Sequence, residues 1–268
     1  MRYEFLGPLR VLDGERTVEL GGPRQQRVLA VLLAATPDEV SVDRLIDQVW
    51  GEDPPDTASH VIRTYISNLR QTLDGRIQSD GRRYRLELDG DESDASVLTE
   101  AVRAARSLVE VDPGAAIDRL DSALSSQRGK PFEGLADDAT TIRIEVDRLE
   151  EQLASARELR MEAALALGRH DAYLADIENL VGSHPLREHA SELLMMALYR
   201  SERQAEALAV YRKLRDRLIE ELGLEPSRPL QELEERILLQ DPALDLAPPH
   251  NLPTPTSDFV GRVDEVCQ

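Results

Sequence analysis

The sequence predicts an α+β unit over residues 1–90 followed by an all-α array over 94–240. Three observations carry this. Short apolar segments punctuated by turns occur before residue 20 and again near residue 80. Apolar residues recur at three- and four-residue spacing almost everywhere beyond residue 94. An acidic break at 89–94 separates the two patterns.

Along the first 20 residues, Tyr3, Phe5 and Leu6, then Leu9, Val11 and Leu12, flank Gly7-Pro8, and Asp13-Gly14 marks a turn before an apolar segment at 17–20. These read as short strands. Gly22-Pro23 opens a helix over 24–35 that must close before Pro37. Ser41 is placed to cap a second helix over 42–50, and Asp56 or Thr57 to cap a third that runs to about residue 73. Residues 76–88 read as a hairpin around Ser79-Asp80-Gly81. The order is strands, three helices, hairpin: a helix-turn-helix with a wing.

Helices are predicted over 98–109, 115–124, 142–167, 172–181, 187–199, 204–222 and 230–238, with turns at Asp112-Pro113-Gly114, Gly168, His184-Pro185 and Gly223. Residues 168–180 match 202–214 in pattern, pairing Leu174 with Leu208 and Leu180 with Leu214 at a spacing of 34. That is the tetratricopeptide (TPR) period, in which each helix pair buries its face against the next. Five prolines at 242–255 read as an extended linker over 241–256, and 257–268 begin another apolar segment. The chain is therefore expected to be the front of a longer protein.

On the third helix, Ile62, Ile66, Leu69 and Leu73 form one stripe with Tyr65 beside it. The opposite face carries His60, Arg63, Thr64, Ser67 and Gln71, with Asn68 and Arg70 at its flanks. These are short or forked hydrogen-bonding groups suited to base edges in a major groove: Arg to guanine, Asn or Gln to adenine, Ser or Thr to either. A solvated helix face more often shows Glu and Lys, and this face has neither. In the hairpin, Arg82, Arg83 and Arg85, beside Tyr84, are placed to reach the phosphate backbone or the adjacent minor groove, and because Asp80 would repel phosphate, Arg82 or Arg83 is expected to hold the backbone. Trp50 and Tyr84 are expected in the core.

The segments GPLRVLDGERTVELGGPRQQRVLAVLLAA and SVDRLIDQVWGEDPPDTASHVIRTYISNLRQTL resemble the OmpR-type winged helix of the Streptomyces antibiotic regulatory protein (SARP) family. RGKPFEGL at 128–135, HPLRE at 184–188 and the run at 197–238 resemble its bacterial transcriptional activation domain. The resemblance implies an activator that binds direct repeats in double-stranded DNA at promoters, side by side as a homodimer, and recruits RNA polymerase, including its sigma factor, in the control of antibiotic biosynthesis. Positions matching His60, Thr64, Ser67, Asn68 and Arg70 would make the contacts. Many relatives carry Arg where this chain has Asn68. The wing departs from the family's Arg-Pro-Pro-Gly-Tyr, reading Asp80-Gly81-Arg82-Arg83-Tyr84. FVGR near the end is similar to the entry of the NTPase domain in larger, AfsR-like members, so ATP is expected only in a missing C-terminal domain and no cofactor in this chain.

Composition narrows the alternatives. The net charge is −19, of which residues 1–90 carry −3 and the rest −16, so DNA binding by bulk charge alone is excluded. Between His60 and Arg85, six arginines face two aspartates, leaving a local basic surface. The longest apolar run, 28–35, is too short for a membrane span, Arg2 and Glu4 interrupt any secretory leader, and Cys267 is the only cysteine, which together point to the cytoplasm. Arg128-Gly129-Lys130-Pro131 is no phosphate loop, and His184 and His189 lack the spacing of paired metal ligands on a helix. Catalysis is not expected. The remaining rival is a TPR-like scaffold that binds protein and not DNA.

Overall fold

The computed structural model describes residues 1–88, 92–137 and 139–245. The acidic residues 89–91 and everything from 246 on, including the segment at 257–268 and most of the proline-rich stretch, lie outside the described residues.

Strands β1 (Arg2–Glu4), β2 (Arg10–Asp13) and β3 (Arg16–Thr17) form an antiparallel meander, with Tyr3 opposite Val11. α1 (Pro23–Ala35) follows, with its proline at the start and the run 28–33 buried throughout. β4 (Val40–Ser41) leads directly into α2 (Val42–Trp50), where the Ser41 hydroxyl accepts from the Arg44 amide as a cap. α3 (Ala58–Thr72) buries the expected stripe of Ile62, Ile66 and Leu69, and Leu73 just beyond it. Thr57 holds the N-cap position of α3, but its side chain makes no capping bond.

β5 (Ile77–Asp80) and β6 (Arg83–Leu86) form the hairpin, and Gly81 turns it at φ +62°. The hairpin is not isolated. β4 pairs with β6, Val40 opposite Tyr84, so the wing is a three-stranded sheet with β6 at its centre. β7 (Glu92–Ser93) returns to lie parallel to β1 as a fourth strand of the first sheet.

Seven helices complete the described chain: α4 (Asp94–Leu108), α5 (Pro113–Leu124), α6 (Thr140–Ala166), α7 (His170–Ser183), α8 (Glu188–Arg200), α9 (Gln204–Leu222) and α10 (Arg228–Leu238). α7 and α9 begin 34 residues apart, as the repeat predicts. Asp112 caps α5 through the Ala115 amide, and Gly223 closes α9 in the left-handed conformation at φ +68°. Residues 242–244, read from sequence as linker, form a short 3-10 helix that buries Leu244.

Burial defines two cores, and they meet within α6, not at the acidic break. The first runs without interruption from Tyr3 through the winged-helix residues to Ala164, and the second from Met161 to Leu244. α6 packs α1, α4 and α5 along one part of its length and α7 and α8 along another.

Specific bonds bind the N-terminal sheet to the helices. The buried Asp94 carboxylate accepts from the amides of Phe5 (2.9 Å), Leu6 (2.8 Å) and Ala95 (2.9 Å). Phe132 stacks on Phe5 with centroids 4.7 Å apart and donates its amide to the Phe5 carbonyl. Gly7 is required here by close approach, since a Cβ would sit 3.0 Å from that of Arg128. The Thr141 amide donates to Gln48 Oε1 at 2.7 Å, and Arg44 Nη2 donates to the Thr141 hydroxyl at 3.0 Å. The RGKPFEGL segment is thus the clasp between the N-terminal sheet and the helices.

HPLRE does similar work lower down. Arg187 forks onto the buried Glu158 (2.8 and 2.7 Å). That carboxylate and Glu151 hold the guanidinium well above its ordinary pKa, outweighing burial. His189 faces Glu162 through Nε2 (3.8 Å) and Glu192 through Nδ1 (3.2 Å). These carboxylates raise its pKa from the ordinary 6.5 to about 10. Because the folded value is the higher one, the stability it contributes is complete below pH 6.5 and is lost as pH rises through about 10. The ring is 45% exposed, so screening limits the effect to about 1 kcal/mol. Urea unfolding at about pH 6, 8 and 10 should show this decline, and His189→Gln should flatten it.

Candidate nucleic-acid interface

The exposed face of α3 follows from its buried one. With Ile62, Ile66 and Leu69 turned into the core, residues at 60, 63, 64, 67, 68 and 71 must face outward, and all six are exposed. From His60 to Gln71 the face extends about 16 Å, enough to lie in a major groove.

Its members are not equivalent. Arg63, Ser67 and Gln71 make no side-chain hydrogen bond or ion pair to another described residue, so their polar groups point to solvent. Thr64 donates its hydroxyl back to the His60 carbonyl at 3.1 Å. Asn68 Nδ2 donates to Gln25 Oε1 on α1 at 3.2 Å, while Gln25 Nε2 donates to the Leu20 carbonyl at 3.0 Å. The second bond fixes the Gln25 amide, and that in turn sets which end of Asn68 faces outward. Arg70 turns aside from the face. Its Nε donates to the Ile77 carbonyl at 2.7 Å and its guanidinium lies 5.7 Å from the Tyr84 ring centroid, so it ties α3 to the wing.

In the wing, Arg82 pairs with Asp43 at 2.9 Å and Arg85 with Glu87 at 3.0 Å. Arg83 is exposed and has no carboxylate partner among the described residues. The Arg82 carbonyl accepts from the Val42 amide, which anchors the turn to the start of α2. Tyr84 is buried, as expected. Trp50 is half-buried beneath the Arg24 guanidinium, and its Nε1 is shielded without an acceptor among the described residues.

Helical spacing gave the exposed residues of α3, while Gln25, which restrains Asn68, and Asp43, which restrains Arg82 in the wing, were missed. Neither carries a motif. Each is recognisable only once α1 or α2 is packed against a partner about 40 residues away. Among the described residues no helix is long and apolar enough to cross a membrane, and no group of three or more His, Cys, Asp or Glu is gathered to hold a metal.

Known proteins share this arrangement. The bacterial transcriptional activator domain family matches residues 93–238, and the C-terminal domain family of transcriptional regulatory proteins matches 15–84. The regulatory protein AfsR of Streptomyces coelicolor is 39% identical over 98% of this chain, which spans 28% of that relative's length. The regulatory protein DnrI of Streptomyces peucetius is 33% identical, with 91% of this chain and 94% of the relative covered. A solved structure of Mycobacterium tuberculosis EmbR, in complex with a low-affinity phosphopeptide, superposes with a TM-score of 0.81 at 33% identity, covering 89% of this chain and 65% of that one. With its winged helix, its helical activator domain and DnrI matched along nearly its whole length, the chain belongs to the Streptomyces antibiotic regulatory protein family of transcriptional activators.

Proposed function

We propose that the chain binds direct repeats at promoters as side-by-side protomers and recruits RNA polymerase through its sigma factor, in the control of secondary metabolism. The observation that carries this reading is the α3 face, on which Arg63, Ser67 and Gln71 stand exposed with no hydrogen-bond or ion-pair partner among the described residues. α3 enters the major groove, and Arg83 holds the phosphate backbone beside it. With a charge of −3 over residues 1–90, non-specific attraction is weak, so affinity depends on base contacts and on a neighbouring protomer. The helical domain places that neighbour and offers a surface to polymerase. No cofactor is needed within this chain.

The test is selection of genomic DNA fragments at about 0.15 M salt, by the wild-type chain and by an Arg63/Ser67/Gln71→Ala variant. Enrichment of fragments sharing repeats about one helical turn apart, lost in the variant, supports the reading. If neither folded protein enriches any sequence, the scaffold reading takes its place.

Gln25 offers a finer test. Gln25→Leu keeps the bulk but removes the acceptor that holds Asn68. The same selection is expected to return a motif blurred at one base position per repeat, with the rest intact. An unchanged motif would show that the Gln25–Asn68 bond does not govern recognition.

A further inference from the structure

Between α5, α6 and α7 the surface opens into a cleft of about 660 Å3. That volume is within the ~300–1,000 Å3 range of small-molecule sites. Leu124, Met161 and Leu180 supply apolar lining. They come from both sides of a seam, since Leu124 packs on the first core while Met161 and Leu180 belong to the second.

The charges in the cleft are unequally satisfied. Arg160 pairs with Asp121 and, at 3.1 Å, with Asp176, and lies 4.8 Å from the Tyr173 ring centroid. Those two carboxylates are thereby engaged. Arg157, one turn earlier, is half-buried and has no carboxylate partner among the described residues. Its Nη2 donates to Gln127 Oε1 at 2.6 Å, and Gln127 Nε2 donates in turn to the Gly129 carbonyl at 3.2 Å. The neutral amide is thus locked with its oxygen toward the guanidinium. Burial pushes the Arg157 pKa down, and no anion among the described residues offsets it. This is unusual in a chain with 51 acidic and 32 basic residues. A cation removed from water is costly unless an anion completes its shell.

We propose that this cleft binds a small organic anion, its carboxylate or phosphate head group paired with Arg157 and its apolar body resting on Leu124, Met161 and Leu180. Arg157 has two terminal nitrogens and its Nε for a forked contact, and Gln127 engages one of them. The proposal does not depend on the DNA reading. An occupant would touch α5, α6 and α7 together and so bridge the two cores.

Calorimetric titration of the whole chain with hexanoate, phenyl phosphate and inorganic phosphate tests this. At least one organic probe is expected to bind with a Kd below about 1 mM, the two probes distinguishing carboxylate from phosphate. Arg157→Gln is expected to weaken that binding by about tenfold or more, with unchanged or improved thermal stability in the absence of probe. Ser125→Trp, on the exposed rim, blocks the cleft without altering Arg157 and provides an independent variant. Failure of both organic probes to bind at about 10 mM would overturn the proposal, as would binding indifferent to both variants. Inorganic phosphate binding as tightly as phenyl phosphate would overturn the part given to the apolar lining.

Discussion

Alanine at Asp94 is expected to lower the unfolding free energy by about 3 kcal/mol. The carboxylate is inaccessible and accepts from three backbone amides, two of them on the β1 side of the molecule. Truncation leaves those donors buried without partners, at about 1–3 kcal/mol for each one that finds no water. An opposing effect exists. Burial pushes the Asp94 carboxyl above its ordinary range, against the lowering influence of the Leu6, Phe5 and Ala95 amides and of Arg128, so its removal relieves some desolvation. The stranded amides outweigh this, because three contacts are lost for one charge. Asp94→Asn, which keeps one acceptor oxygen, should cost about half as much. Trp50, the sole tryptophan, reports unfolding of the winged helix, while far-UV circular dichroism reports the helices. The tryptophan signal should shift together with the loss of α1 to α6 in urea, because one core serves the winged helix and those helices, while α7 to α10 rest on the second core. A variant as stable as wild type would show that Asp94 does not hold the sheet to the helices.

The second large effect concerns DNA. The Arg63/Ser67/Gln71→Ala variant is expected to lose at least about a hundredfold in specific affinity, close to the low end of three good base contacts at roughly 1–3 kcal/mol each. Its stability should stay within about 0.5 kcal/mol of wild type, since the three side chains are exposed and hold nothing in place. Arg70→Ala should behave differently. It also severs the bond to the Ile77 carbonyl and the contact with Tyr84, so loss of DNA affinity should come with a loosened wing. Fluorescence anisotropy with an enriched fragment, beside thermal melting, separates the two cases. Equal affinity of the triple variant and wild type would remove α3 as the reading element.

How much was legible in the sequence varies by element. α9 runs over Gln204–Leu222 as predicted, because apolar periodicity fixes its face and Gly223 its end. The buried stripe of α3 was equally plain. The two-residue strands β4 and β7 were not, since strands that short have no period and exist by pairing with Tyr84 and Tyr3, far away in the chain. The acidic run at 89–94 looked like a solvated break, yet its last residue is fully buried, because burial there is decided by the amides of Phe5 and Leu6. The candidate site shows the same division. Outward residues were read from helical spacing, but the restraints on Asn68, Arg70 and Arg82 depend on which helix or strand lies beside them.

The seam within α6 also has a practical meaning for recombining relatives. The family matches end at residue 84 and resume at 93, inviting a crossover between them. Such a hybrid would draw Phe5 from one parent and Phe132 from another, and likewise split Gln48 from Thr141 and Leu6 from Asp94. Each mismatch would fall inside a close-packed interior that tolerates little change of shape. Exchanges that carry everything up to the second half of α6 as one cassette keep those partners together, leaving α7 to α10 as the portion most readily traded.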